Sequence, residues 1–270
     1  MLKITRLYKQ WNDQIILENL NYTFYENQIY AIVGQTGSGK TTLLKMIAGL
    51  DSCYSGQIEW NQKNIQKLSL YTLTDVGYIE QDFGLIEELT VKENCLLPFY
   101  LNDLLSKMDY SYFNFLLELF QIKKLCNSSC YELSGGEKRR VAIAGILAFN
   151  PDVLIVDEPT AGLDPKAAKK MMDLFYELYT KENKTIILVT HQMDDVLKYA
   201  HRVMALKKGK LLAYTSPYQL FNDEKMMKEL EIEIPPILKV AKEVKKKYPL
   251  LDLSKVKDIE SFVQALKDVR

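Results

Sequence analysis

The residues in this sequence that could do chemistry fall in a few short stretches. Gly34, Gln35, Thr36, Gly37, Ser38, Gly39, Lys40 and Thr41 fit G-x-x-x-x-G-K-[ST], between the apolar run Ile29-Tyr-Ala-Ile-Val33 and the helix-like Thr42-Leu-Leu-Lys-Met-Ile-Ala48. A strand before and a helix after make this a phosphate-binding loop. Glycines let successive backbone N–H groups converge on one point, and the helix adds the positive end of its dipole. Lys40 is expected to reach the outer phosphates of a nucleoside triphosphate, and Thr41 to hold Mg²⁺. Farther along, Val153-Leu-Ile-Val156 is a continuous apolar run of the kind found in buried parallel strands. It delivers Asp157 and Glu158 at its C-terminal end, where open α/β sheets bind ligands. Buried charge needs a partner, so adjacent carboxylates there are hard to explain as packing. Asp157 is suited to hold Mg²⁺ through water opposite Thr41, and Glu158 to orient and deprotonate an attacking water.

Leu133-Ser-Gly-Gly-Glu137 adds a second candidate anion site. Ser134 and Glu137 form the capping box of a helix running to Ala148, which accounts for both polar residues. It does not account for Gly135 and Gly136, whose entropic cost is useful mainly where something must approach the main chain closely. Pro159-Thr-Ala-Gly-Leu-Asp-Pro165 is a tight loop that presents Asp164, and the apolar run Thr185–Thr190 ends at His191, by the expected γ-phosphate. His201 has no such position and reads as structural. Trp11 lies in a polar break, where an aromatic either stacks on a base or packs over a sheet edge, with Tyr8 as the alternative stacker.

The elements that must position these residues can be read in chain order. Residues 1 to 33 alternate apolar and polar with Asn/Asp/Glu-rich breaks, an antiparallel β arrangement leading into the strand before the loop. Gln57–Asn61 and Val76–Ile79 read as short strands. From Leu85 to Lys124 the pattern turns helical, with Leu96, Leu97, Leu101, Leu104, Leu105 and Met108, then Phe113, Leu116, Leu117 and Phe120, forming apolar stripes. Beyond a hairpin turn at Lys207-Lys-Gly-Lys210, whose charge reads as a solvated turn, the stripe Ile237, Val240, Ala241, Val244 predicts a small helical extension.

Composition limits the partners. With 270 residues, 47% of them hydrophobic, the chain can bury a substantial core as one large domain or as a main domain with an appendage. Its formal net charge of zero gives no general pull towards nucleic acid or acidic lipid, and no nucleic-acid partner is expected. Cys53, Cys95, Cys126 and Cys130 form no C-x-x-C pair, which points to reduced thiols in a cytosolic protein rather than a metal site. The first residues lack the apolar core of a signal peptide, and the longest apolar stretch, 141–149 with only Gly145 interrupting, is far short of a membrane span. No direct membrane insertion is expected, so work at a membrane requires docking onto another chain.

Taken together, the motifs at 34–41, Gln81, 133–137, 153–158, Ala161-Gly-Leu-Asp164 and His191 resemble, in order and approximate spacing, the nucleotide-binding subunits of ABC transporters. The resemblance implies an α/β P-loop NTPase (RecA-like) core with an antiparallel β subdomain, a helical insertion at about 83–146 and a small C-terminal helical extension. The cassette would occupy residues 1–216 and the extension 217–270. It implies a head-to-tail dimer with a second ABC ATPase subunit, the same chain or a paralogue. ATP and Mg²⁺ would lie between the phosphate loop of one subunit (Gly34–Thr42) and the Ser134, Gly135, Gly136, Glu137 stretch of the other. It further implies Trp11 as the adenine-stacking aromatic and Gln81 as a catalytic and Mg²⁺ contact. Asp164 would be an interface residue and His191 a γ-phosphate contact. Residues 82–100 would receive a transmembrane subunit at the cytoplasmic face of the membrane.

Within the family, Tyr131–Gly145, Asp157–Pro165 and the tail look like the ATPases of energy-coupling factor importers of vitamins, cobalt or nickel. Gln81–Asn94 resembles instead the segment of lipoprotein-releasing and peptide-exporting ATPases. A soluble ABC ATPase of translation or DNA repair would carry tandem cassettes or long coiled-coil insertions. A GTPase would carry an Asn-Lys-x-Asp loop. This sequence has neither.

Overall fold

The structure, a computed structural model, describes residues 1–67, 75–80 and 84–269. Its strands fall into two sheets. The alternating residues of β1 (Leu2–Trp11) and β2 (Gln14–Phe24) pair antiparallel, and β4 (Ser55–Trp60) and β5 (Lys63–Asn64) extend the sheet in the order β2-β1-β4-β5. Their inward residues Leu2, Ile4, Leu20 and Ile58 share one core with Leu43, Leu44 and Ile47 of helix α1 (Lys40–Ile47). Period-two alternation is what a sheet with one covered face requires.

The second sheet is built from β3 (Ile29–Val33), β6 (Val76–Ile79), β7 (Val153–Asp157), β8 (Thr185–Val189), β9 (Arg202–Lys207) and β10 (Lys210–Thr215), in the order β10-β9-β3-β8-β7-β6. All pairs are parallel except β9 with β10. β3, β7 and β8 are buried at every position, as strands covered on both faces must be. Because β8 lies between β3 and β7, the loops following these strands emerge side by side.

Helices α2 (Val91–Leu101), α3 (Tyr110–Leu119) and α4 (Gly135–Leu147) pack with α5 (Pro165–Glu182) into a second core against β7 and β8. The stripe predicted from Leu96 to Met108 is not one helix. After Leu101 the chain turns at Asn102-Asp103, with Asp103 left-handed at φ 53, although Leu104 and Met108 remain buried. A third core joins α6 (Met193–Tyr199), β3 and β9 to α7 (Pro217–Leu220), α8 (Glu224–Leu230), α9 (Pro236–Lys247) and α10 (Ile259–Lys267). In α9 the buried residues are Leu238 and Ala241, whereas Val240, a member of the predicted stripe, is 51% exposed. Ile237 and Val244 pack against the same core, so the stripe holds apart from Val240 and is joined by Leu238.

Candidate active site

β3 runs directly into the glycine-rich loop. Gly39 is left-handed at φ 98, and a Cβ there would lie 2.9 Å from the Ile16 carbonyl oxygen; at Gly34 it would lie 2.1 Å from that of Leu206. At Gly37 it would meet nothing within 4 Å, so the loop is open on that side. Ser38 is buried and its Oγ has no hydrogen-bond partner among the described residues. Lys40 folds back across the loop, its Nζ donating to the Gly34 carbonyl at 2.7 Å and that of Gln35 at 2.8 Å. Burial pulls the Lys40 pKa down, against the charges of Glu158 and Asp157. The first turn of α1 has no side-chain cap. An orphaned hydroxyl, uncapped N–H donors and a buried ammonium around one open loop form a donor set suited to a polyphosphate.

A further wall comes from the β9–β10 hairpin. Gly209 donates its N–H to the Ser38 carbonyl at 3.1 Å, and its own carbonyl accepts from Glu18 N–H at 2.9 Å. The Lys207–Lys210 turn is therefore not merely solvated. Lys207 pairs with Glu229 and Lys210 with Glu18, while a Cβ on Gly209 would come within 2.3 Å of the Ile16 carbonyl oxygen. Lysine charge dominates the sequence signal at this turn; the working residue is the glycine.

β7 delivers the carboxylates. Asp157 is buried, which raises its pKa with help from the Glu158 charge, while hydrogen bonds from Thr41 and Tyr78 and the Lys40 charge oppose the shift. The Tyr78 contact is long, at 3.5 Å. Glu158 has a left-handed backbone at φ 48, held by its N–H to the Val189 carbonyl at 2.9 Å and by Ala161 N–H to its own carbonyl at 3.2 Å. His191, exposed after β8, sets Nε2 3.2 Å from Glu158 Oε1. Lys40, Thr41, Asp157, Glu158 and His191 thus gather at one end of the parallel sheet. Gln81 lies outside the described residues. His201 accepts a hydrogen bond from Ile29 N–H on Nδ1 at 3.0 Å, in keeping with its structural reading.

Other sequence-predicted residues lie apart from this group. Trp11 ends β1 and is 68% exposed rather than packed over the sheet edge. The Tyr8 hydroxyl donates to Gln10. Asp164 caps α5, accepting from Lys166 N–H at 3.0 Å and Ala167 N–H at 3.1 Å, and is exposed. Ser134 and Glu137 form the expected capping box at the start of α4, and hydrogen bonds from Ser134 lower the Glu137 pKa. A Cβ on Gly135 would meet nothing within 4 Å, and one on Gly136 only Arg140 Nη1 at 3.8 Å. The chain's own packing therefore requires glycine at neither position. Among the described residues no hydrogen bond or ion pair joins 134–137 to 34–42.

Two supporting residues escaped the sequence reading. Asn94, buried on α2, accepts from Ile86 N–H at 2.8 Å and donates to the carbonyls of Ile86 and Leu89, fixing the loop at 84–90. Arg139, buried on α4, donates from Nη1 to the carbonyls of Pro159 at 2.7 Å and Ala161 at 3.1 Å. The signal for Arg139 was available, since it shares a helix face at four-residue spacing with the buried Ile143 and Leu147.

Comparison with known proteins agrees with this geometry. The ABC transporter family model matches residues 17–161. Energy-coupling factor transporter ATP-binding protein EcfA2 of Staphylococcus epidermidis is 36% identical over 259 residues, covering 93% of this chain and 91% of that protein. The protein of the same name from Staphylococcus aureus is 36% identical over 265 residues, with the same shares covered. Among solved structures, cbiO1 from Clostridium perfringens, part of the ABC transporter complex cbiONQ, aligns with a TM-score of 0.71 at 28% identity, over 92% of this chain and 95% of its own. The dimeric, post-hydrolysis ATP-binding cassette MJ0796 bound to ADP and Pi aligns with a TM-score of 0.70 at 30% identity, over 80% of this chain and 99% of its own. The chain belongs to the ATP-binding, ATP-hydrolysing subunits of the ABC transporter family, and the two curated relatives named above carry the energy-coupling factor name.

Proposed function

We propose that this chain is an ATPase of an energy-coupling-factor-type importer, driving uptake of vitamins or metal ions through a membrane partner at the cytoplasmic face of the cell membrane. Coverage is the observation that carries the branch. The EcfA2 relatives match 93% of the chain and cbiO1 92%, whereas the MJ0796 cassette is nearly used up at 80%. The wider coverage supports reading the residues from 217 onward as a C-terminal helical extension shared with the importer group. Among the described residues no helix is long and apolar enough to cross a membrane, which fits a subunit that docks.

On this reading Gly34–Thr42 cradles the phosphates of ATP, Lys40 swings from its carbonyls to the outer phosphates, and Trp11 stacks on adenine. Mg²⁺ would be held by Thr41, by Gln81 and, through water, by Asp157. When bound, it neutralises charge on the β- and γ-phosphate oxygens. Glu158 accepts the proton of the attacking water, and His191 contacts the γ-phosphate. Gly135 and Gly136, unneeded by their own chain's packing, face the ATP of a second ATPase subunit, with Asp164 in the same interface. The segment near residues 82–100 receives the transmembrane subunit; within it Ile86 and Tyr100 are exposed, Ile86 on the loop that Asn94 braces, and Asp82 and Phe83 lie outside the described residues.

An exporter-type system is the second reading, favoured by the Gln81–Asn94 segment. Detergent co-purification from native membranes separates the two. Recovery with a small substrate-binding membrane subunit supports the importer, and recovery with an exporter permease supports the alternative. Recovery with ribosomes or DNA and no membrane protein contradicts both.

A further inference from the structure

The α4 start and the carboxylate end of β7 serve different ATP molecules on the reading above, yet one side chain joins them inside the chain. Arg139 lies one turn into α4, behind Ser134–Glu137, and its buried guanidinium reaches the loop that follows Glu158. That loop is a tight turn. Ala161 N–H returns to the Glu158 carbonyl and Leu163 N–H to that of Thr160, and neither bond uses the carbonyl of Pro159 or of Ala161. Nη1 of Arg139 takes both. Pro159 directly follows Glu158, whose left-handed backbone depends on its surroundings to stay populated. A forked, permanently charged donor suits this task because its geometry is fixed; a lysine would offer a point charge instead.

We infer that Arg139 is a positioning residue that couples the two ATP sites: when the start of α4 closes on the partner subunit's ATP, Arg139 carries that displacement to the Glu158 loop of its own chain. The inference rests on the proposed roles of Glu158 and of the α4 start. Arg139 is placed on the backbone of that loop rather than among the reacting groups. It acts through the Pro159 and Ala161 carbonyls on where the Glu158 carboxylate stands, and small misplacements of a catalytic group are costly.

The test is steady-state ATP turnover of the assembled ATPase against ATP concentration, for wild type, Arg139→Met, Arg139→Lys and Glu158→Gln, with a thermal melt and equilibrium ATP binding for each. For Arg139→Met the expected result is a kcat lowered about tenfold or more, ATP affinity within about twofold of wild type, and a Hill coefficient reduced towards one. Arg139→Lys should show the same pattern at about threefold. Because it keeps the buried charge, it carries the test if the methionine variant does not fold. Unchanged kcat and Hill coefficient in the lysine variant and any folded methionine variant overturn the inference. So does a loss of kcat matched by an equal loss of ATP affinity and a lower melting temperature, the signature of a purely structural role. If Arg139→Met is silent while Glu158→Gln stops turnover, the coupling fails and the proposed function stands. If Glu158→Gln also turns over normally, the proposed catalytic reading fails with it.

Discussion

At the scale of single residues, Lys40 and Glu158 are expected to fail in different ways. Lys40 lies buried on the Gly34 and Gln35 carbonyls, so Lys40→Ala removes the ammonium that would move to the phosphates. It should abolish tight ATP binding in an equilibrium titration, and retained affinity would contradict the phosphate placement. Glu158→Gln should lower hydrolysis by roughly 10²–10⁴-fold, the usual worth of a general base, while ATP still binds. Both residues stood out in the sequence because they lie in motifs of fixed spacing. Arg139 and Asn94 were not singled out, since the carbonyls of Pro159 and Ala161 and the backbone of Ile86 and Leu89 that they bind are brought to them by the fold.

At the scale of elements, the parallel strands were readable from continuous apolar runs, and the P-loop from what flanks it. The approach of the β9–β10 hairpin to that loop was not, because it joins Gly209 to Ser38 across a long stretch of sequence. Gly209→Ala puts a Cβ on a residue at φ 76 and against the Ile16 carbonyl, a strain of about 1–3 kcal/mol. A melting temperature lower by several degrees, with weaker ATP binding, is the expected outcome, and a wild-type melt would remove the hairpin from the loop's wall. Helix α6 offers a pH test. Asp195 lies beside a cleft of about 740 Å³ bounded by α5, α6 and the C-terminal helices. Burial, helped by Asp194 and Asp173 and opposed by Lys198, raises its carboxyl to about 6. A folded pKa above the ordinary carboxylate value contributes stability below about pH 4 that is lost as pH rises through about 6. Asp195→Asn should therefore raise the melting temperature by about 2 °C above pH 7, the gain shrinking as pH falls below 6. Parallel melting curves for the two proteins across that range would contradict the assignment.

At the scale of the whole molecule, the proposed reading makes the phosphate loop one half of a site. Among the described residues Ser38 Oγ lacks a partner, the loop is open at Gly37, and no hydrogen bond or ion pair brings the α4 start to it. The sequence marked both halves through their glycines. It could not tell whether one chain brings them together, because that depends on where α4 points. The space around Gly135 turns the question into an experiment. Gly135→Asp fits the chain's own packing and suits the first turn of a helix, but it sets a carboxylate where a second subunit's phosphates would approach. The decisive measurement is equilibrium Mg²⁺-ATP binding by the isolated full-length Gly135→Asp chain, beside turnover by the assembled ATPase carrying it. ATP affinity within about twofold of wild type with turnover lowered at least tenfold is the predicted result. A tenfold loss of affinity in the isolated chain would place both halves of the site in one subunit and contradict the account.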